Sequence, residues 1–164
     1  MNFQRIAGIL EKNPEIFVRG VILRRAEKGQ VVYGARATNV QLPTYLRGET
    51  KDYDILTHKP EKSAVEMAKK LNKMVGSTRY VVVKAKHKGT YKIQTKEGKT
   101  IIDYTQLKRK PKTKKIYGIE YSDIKAIKKS TKRLVKKPET EYRREKDIST
   151  LQRIKELERI EALF

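Results

Sequence analysis

The sequence predicts an α+β domain, and three observations carry that prediction. Apolar residues recur at helical spacing in "FQRIAGILEK" (3–12) and again across 60–75. Short runs that are β-branched or alternate apolar with polar stand at 30–34, 50–57, 78–85 and 89–107. The two kinds of segment interleave, and no internal repeat or low-complexity linker separates them. With 164 residues the chain suits one domain, 1–164, built on one core, with a basic segment and C-terminal helices over 108–164. Only 37% of residues are apolar against 36% charged, so the core must be thin or the fold must carry polar extensions.

In chain order, residues 3–12 place Phe3, Ile6, Ile9 and Leu10 on one helical face. Asn13-Pro14 reads as the cap and first residue of a second helix running to about Glu27, which Lys28-Gly29 ends. "QVVYG" (30–34) is a short strand entering a glycine turn, and "ARATNVQLPTYLRGET" a long connection with one helical turn near its start. "KDYDILT" is the next strand, with Tyr53 and Ile55 on one face and Asp52 and Asp54 on the other. Pro60 opens a helix to about Val75, in which Ala64, Ala68, Leu71 and Val75 repeat at helical spacing, and Gly76 caps it. "TRYVVVKA" (78–85) is a β-branched strand. Residues 89–107 read as a hairpin about Glu97-Gly98, whose second strand carries Asp103. From Tyr117 onward the pattern reads as helical, broken at Pro138. In the last helix Ile148, Leu151, Ile154, Leu157, Ile160 and Leu163 recur every third residue, so the stripe winds around the axis. It calls for packing along its own domain or for a second copy of the chain; the second would make a homo-oligomer.

Composition excludes several functions. No apolar run reaches 18 residues, so no membrane span is expected. The opening "MNFQRIAGILEKNPEIF" meets charge too early for a secretory signal, which points to a cytoplasmic or nuclear setting. Without cysteines there are no disulfides or thiolate metal sites, and two histidines make a poor zinc set. The net charge of +21 favours a polyanionic partner. Plain solubility, or the lysine enrichment of a heat-adapted protein, would also raise it. The excess is uneven, however: Lys108 to Lys137 holds 13 basic and 2 acidic residues, +11 in 30 positions. Lys108, Arg109, Lys110, Lys112, Lys114, Lys115, Lys128, Lys129, Lys132 and Arg133 are the candidate contacts to a phosphate backbone, with DNA or RNA as partner. No base-reading motif accompanies them and the nine tyrosines are scattered, so binding should be sequence-tolerant.

One constellation carries chemistry. A strand ends in Gly34-Ala35, a second presents Asp52 and Asp54, and a third presents Asp103 between apolar neighbours. Three carboxylates meeting at one point repel unless cations sit among them. Such hard oxygen ligands suit Mg²⁺ or Mn²⁺. A solvent-facing strand with ordinary polar residues would show the same Asp-x-Asp spacing. It is the order and strand context of the three pieces together that favour a site.

That order resembles the nucleotidyltransferase superfamily typified by DNA polymerase beta: a strand ending in Gly-Ser or Gly-Gly, Asp-x-Asp/Glu on the next strand, and a third acid later. Here the matching stretches are "VVYGARA" (31–37), "TKDYDIL" (50–56) and "IIDYT" (101–105), and "YRREKDISTLQRIKEL" (142–157) looks like the C-terminal helix of small members. The resemblance covers roughly residues 15 to 157. It implies a small mixed β-sheet with flanking helices and a helical C-terminal region. It further implies that Asp52 and Asp54 bind two metal ions, that Asp103 binds the catalytic one and helps take a proton, and that Gly34-Ala35 cradles the phosphates of an NTP substrate. Arg36, Arg143, Arg144 and Lys146 become candidate phosphate contacts. Ala35 stands where the family has Ser, and the stretch from Ala35 to Asp52 is longer than its usual spacing.

Three functions fit these residues. The first is transfer of a nucleoside monophosphate from NTP to an acceptor, with nucleic acid favoured by the basic segment. The second is a catalytically silent protein of the same fold that binds nucleic acid. The third is a structural or toxin–antitoxin interaction protein using the winding terminal helix.

Overall fold

The computed structural model describes residues 20–22 and 29–164. Residues 20–22 are helical, as expected within 14–27; the helix expected at 3–12 and the rest of the second one lie outside the described residues. From residue 31 the elements are β1 (Val31–Tyr33), α1 (Gly34–Val40), a 3-10 turn (Thr44–Leu46), β2 (Tyr53–Thr57), α2 (Pro60–Val75), β3 (Tyr80–Lys84), β4 (Thr90–Thr95), β5 (Thr100–Gln106), β6 (Thr113–Ile116), β7 (Ile119–Ser122), α3 (Ile124–Val135), a 3-10 helix (Pro138–Arg143) and α4 (Arg144–Glu161). Helices and a mixed sheet make this an α+β fold, with a helical C-terminal region. Among the described residues no helix is long and apolar enough to cross a membrane. The described residues form two compact units, one built on Lys51–Lys108 and the other on Val31–Thr50 with Arg109–Phe164.

The first unit orders its strands β3-β4-β5-β2, with β3, β4 and β5 antiparallel in succession and β2 parallel to β5. Helix α2 packs on β2, β3, β4 and β5. It begins and ends where the sequence places it: Pro60 stands at the first turn, where a missing N–H costs nothing, and Gly76 takes the left-handed conformation (φ 65°) that closes the helix. Ala64, Met67, Ala68 and Leu71 on its inner face meet Tyr53, Ile55, Ile93, Ile102 and Tyr104 in one apolar core. Asn72 pins the end of α2 to β3: its amide donates to the Tyr80 carbonyl (2.9 Å) and its oxygen accepts from the Tyr80 N–H (2.8 Å).

The second unit orders its strands β1-β7-β6, with β1 parallel and β6 antiparallel to β7. Two expectations are corrected here. The stretch after Gly34 makes a seven-residue helix, α1, rather than a single turn; Thr38 and Ala37 are buried on its inner side. Residues 113–122 form a β-hairpin, so helix begins at Ile124 and not near Tyr117. The hairpin turns on Tyr117-Gly118, both at positive φ (49° and 81°), between the paired residues Ile116 and Ile119. That is the primed two-residue turn whose twist matches antiparallel strands. Helix α4 packs on α3. Of its every-third-residue stripe only Ile154 is fully buried, while Ile148 and Leu163 are exposed.

Candidate active site

Register alone brings the acids together. In the parallel β2/β5 pair Asp54 lies opposite Asp103, and in the antiparallel β4/β5 pair Lys92 lies opposite Asp103. The row Lys92–Asp103–Asp54 thus crosses three neighbouring strands, and Asp52, two residues before Asp54, shares its face. One carboxylate oxygen from each of Asp52, Asp54 and Asp103 lies within 4.8 Å of the other two. The opposite face carries Tyr53 and Ile55, both buried, so β2 is half core and half site.

The register that aims Asp103 depends on a β-bulge. Gln94 pairs with Thr100 but Ile93 pairs with Ile102, leaving Ile101 as the extra residue. Ile101 and Ile102 are consequently both buried, and Asp103 turns away from them. Lys92 Nζ donates to Asp103 Oδ2 at 3.2 Å. The other oxygen, Oδ1, is buried with no hydrogen-bond partner. Burial raises the Asp103 pKa above the ordinary carboxylate value; the Lys92 hydrogen bond and charge oppose that, and the Asp52 charge adds to it. A buried acceptor without a donor, next to two further carboxylates, is the chemistry of a cation site. This donor set suits a divalent cation such as Mg²⁺ or Mn²⁺, which Asp52, Asp54 and Asp103 could hold. Lys92 is the residue the sequence did not reveal, because the bulge shifts its partner by one position.

Gly34 sits at the start of α1 with φ 68°, a conformation that suits glycine. Its carbonyl accepts from the Thr38 hydroxyl (3.0 Å), while Ala35 and Arg36 are half-buried. The C-terminal cations are committed locally. Arg143 makes a bidentate pair with the buried Asp147 (2.9 Å to each oxygen), and Arg144 pairs with Glu141 (3.2 Å); Lys146 is exposed.

The basic residues of 108–137 lie in the connection between β5 and β6, on β6, on α3 and just after it. Lys108, Arg109, Lys112, Lys114, Lys115, Lys129, Lys132 and Arg133 are exposed. Lys110 is held by Glu120 and Lys128 by Glu158, each at 2.6 Å.

No protein-family profile matches the chain. Nor does any curated protein sequence. Among solved structures, the Megavirus polyadenylate synthase matches with a TM-score of 0.72 at 22% identity, covering 88% of this chain and 31% of that one. A nucleotidyltransferase-like protein from Paracoccidioides brasiliensis is matched more loosely, with a TM-score of 0.45 at 15% identity over 85% of this chain and 76% of that one. The chain has a nucleotidyltransferase-like fold.

Proposed function

We propose that the chain is a metal-dependent nucleotidyltransferase that moves a nucleoside monophosphate from an NTP to a nucleic-acid acceptor. The observation that carries this reading is the convergence of Asp52, Asp54 and Asp103 within 4.8 Å on such a fold. Mg²⁺ or Mn²⁺ held there would neutralise charge on the phosphates and on the two oxygens exchanged at phosphorus.

The chain's own residues then divide the work. Lys92 holds Asp103 by Oδ2, which keeps its carboxylate on the face it shares with Asp52 and Asp54. In the step itself the acceptor hydroxyl loses its proton to Asp103, its oxygen bonds the α-phosphorus, and the α–β phosphoanhydride bond breaks to release pyrophosphate. Gly34, Ala35 and Arg36 are proposed as phosphate contacts, and Lys146 is the exposed cation of the C-terminal set. Polyadenylate, the product in the name of the Megavirus protein, makes ATP and an RNA 3′ end the first pair to try.

A second reading, a silent binder of nucleic acid, is favoured by Ala35, which lacks the family's hydroxyl, and by the +11 charge of 108–137. One experiment separates the two. The pure protein is incubated with each labelled NTP, Mg²⁺ or Mn²⁺, and RNA, DNA or tRNA, and label transfer is followed beside the same assay on Asp52→Ala. Transfer that the variant loses supports the enzyme. No transfer, with binding that weakens steeply with salt (a log–log slope of about −0.7 per single-strand phosphate), supports the binder.

A further inference from the structure

Tyr117 is an anomaly of backbone and of exposure. It occupies the first position of the hairpin turn with φ 49°, the only non-glycine at positive φ among the described residues. Primed turns take Asn, Asp or Gly there, because a Cβ in the left-handed region is strained. The side chain offers no packing in return, since Tyr117 is 99% exposed. A strained residue that supports nothing in its own fold points to a role outside it.

Its setting says what that role is. Lys114 and Lys115 on β6, the strand leading to the turn, and Lys112 just before it are exposed, and Lys114 and Lys115 pair with Tyr121 and Glu120 of β7. Lysines on an outer strand also discourage edge-to-edge pairing, but that task needs no aromatic at the tip. A flat, solvent-facing ring among cations is the combination that holds an unpaired strand: the lysines track phosphates and the ring stacks on a base. We propose that the β6–β7 hairpin is a single-strand nucleic-acid contact in which Tyr117 stacks on an unpaired base. This rests on the reading of 108–137 as a nucleic-acid surface and adds its strand preference.

The chain has no tryptophan, so Tyr117→Trp in the full-length protein creates a single reporter. Its fluorescence is titrated with a 20-nucleotide oligo(A), with the matching DNA and with a duplex. Affinities of wild type and Tyr117→Asn are measured by anisotropy of the same labelled strands. The expected result is quenching by single strands, and an affinity for them about tenfold lower in Tyr117→Asn, the order expected from losing one stacked base. The melting temperature of that variant should be no lower than wild type, because Asn suits the turn. Wild type that binds in a salt-dependent way while Tyr117→Asn matches it within twofold would overturn the stacking proposal and leave the basic surface standing. An equal loss on duplex would overturn the single-strand preference. Wild type that binds no strand removes the underlying reading, and the stacking proposal with it.

Discussion

Each of the two units is held together internally by a different means. The first has a continuous apolar core in which Ile93, Ile102, Leu71 and Tyr104 are essentially sealed from solvent. The second buries fewer large side chains and relies on polar clamps. Gln41 donates to the Ala37 and Ser122 carbonyls and accepts from the Ile124 N–H, joining α1, β7 and α3. Asn39 brackets Gly48 by donating to its carbonyl and accepting from its N–H. Arg153 lies so close over Gly48 that any side chain there would collide with its guanidinium. The difference follows from what each unit carries. Three like charges keep their spacing only on a stiff sheet, and a dry core beneath β2 and β5 supplies that stiffness. A lysine-rich segment has little apolar surface to bury, so directional hydrogen bonds take over.

The largest effect should separate the units by function. Asp54→Asn is expected to reduce monophosphate transfer by at least about a thousandfold, roughly 4 kcal/mol of transition-state stabilisation. Its affinity for an oligonucleotide should stay at the wild-type level. Reversing Lys112, Lys114 and Lys115 to Glu together should do the converse, weakening binding to all sequences alike and flattening the salt dependence. Transfer assays and anisotropy on the same preparations check both; a triple variant that binds normally would detach the charge from the partner.

Next come the cores. Leu71→Ala should destabilise by about 3 kcal/mol, since the side chain is fully buried and the packed sheet cannot collapse around the gap. Gln41→Leu should cost about 2 kcal/mol, because two carbonyls and one N–H lose their partner while apolar area increases. Urea melts of each variant measure both. If Gln41→Leu proves neutral, the second unit is packed rather than clamped and the contrast between the units fails.

How much of this was legible follows from which residues signal locally. Helix α2 could be read to its ends because Pro60 and Gly76 mark them, and β2 because Asp52, Tyr53, Asp54 and Ile55 alternate. The hairpin of residues 113–122 is illegible for two reasons: lysines mask its alternation, and Tyr117 stands where Asn would announce the turn. The length of helix α1 is hard to read because "GARATNV" offers few apolar residues from which to take a period. The Asp-x-Asp and Asp103 stretches were visible as acids on strands, yet their meeting depends on the parallel register of β2 with β5, a non-local fact. Lys92 was hidden further by the bulge at Ile101. Arg143 and Asp147 were separated by the four residues of a helical pair, and that spacing was available to be read.

The smallest expected effect tests whether the site unit carries strain at its acids. Burial raises the folded-state pKa of Asp103, so its protonated form is favoured on folding. Stability from that source is fully present below the unfolded carboxylate pKa, near 4, and is lost as pH rises through the higher folded value. Asp103→Asn cannot ionise, and its carbonyl can still accept from Lys92. In protein stripped of divalent ions the variant should therefore be more stable than wild type at pH 7, since the side chain is only 16% exposed and burial disfavours the charged carboxylate. The gain should fade as pH falls below the ordinary carboxylate range, where wild-type Asp103 is protonated too. Adding Mg²⁺ should reverse the order at pH 7, because only the carboxylate can hold it. Melting curves at both pH values, with EDTA and with Mg²⁺, check each part. A variant less stable than wild type at pH 7 in EDTA would mean that Lys92 already neutralises the acid, and that the three carboxylates sit together without cost.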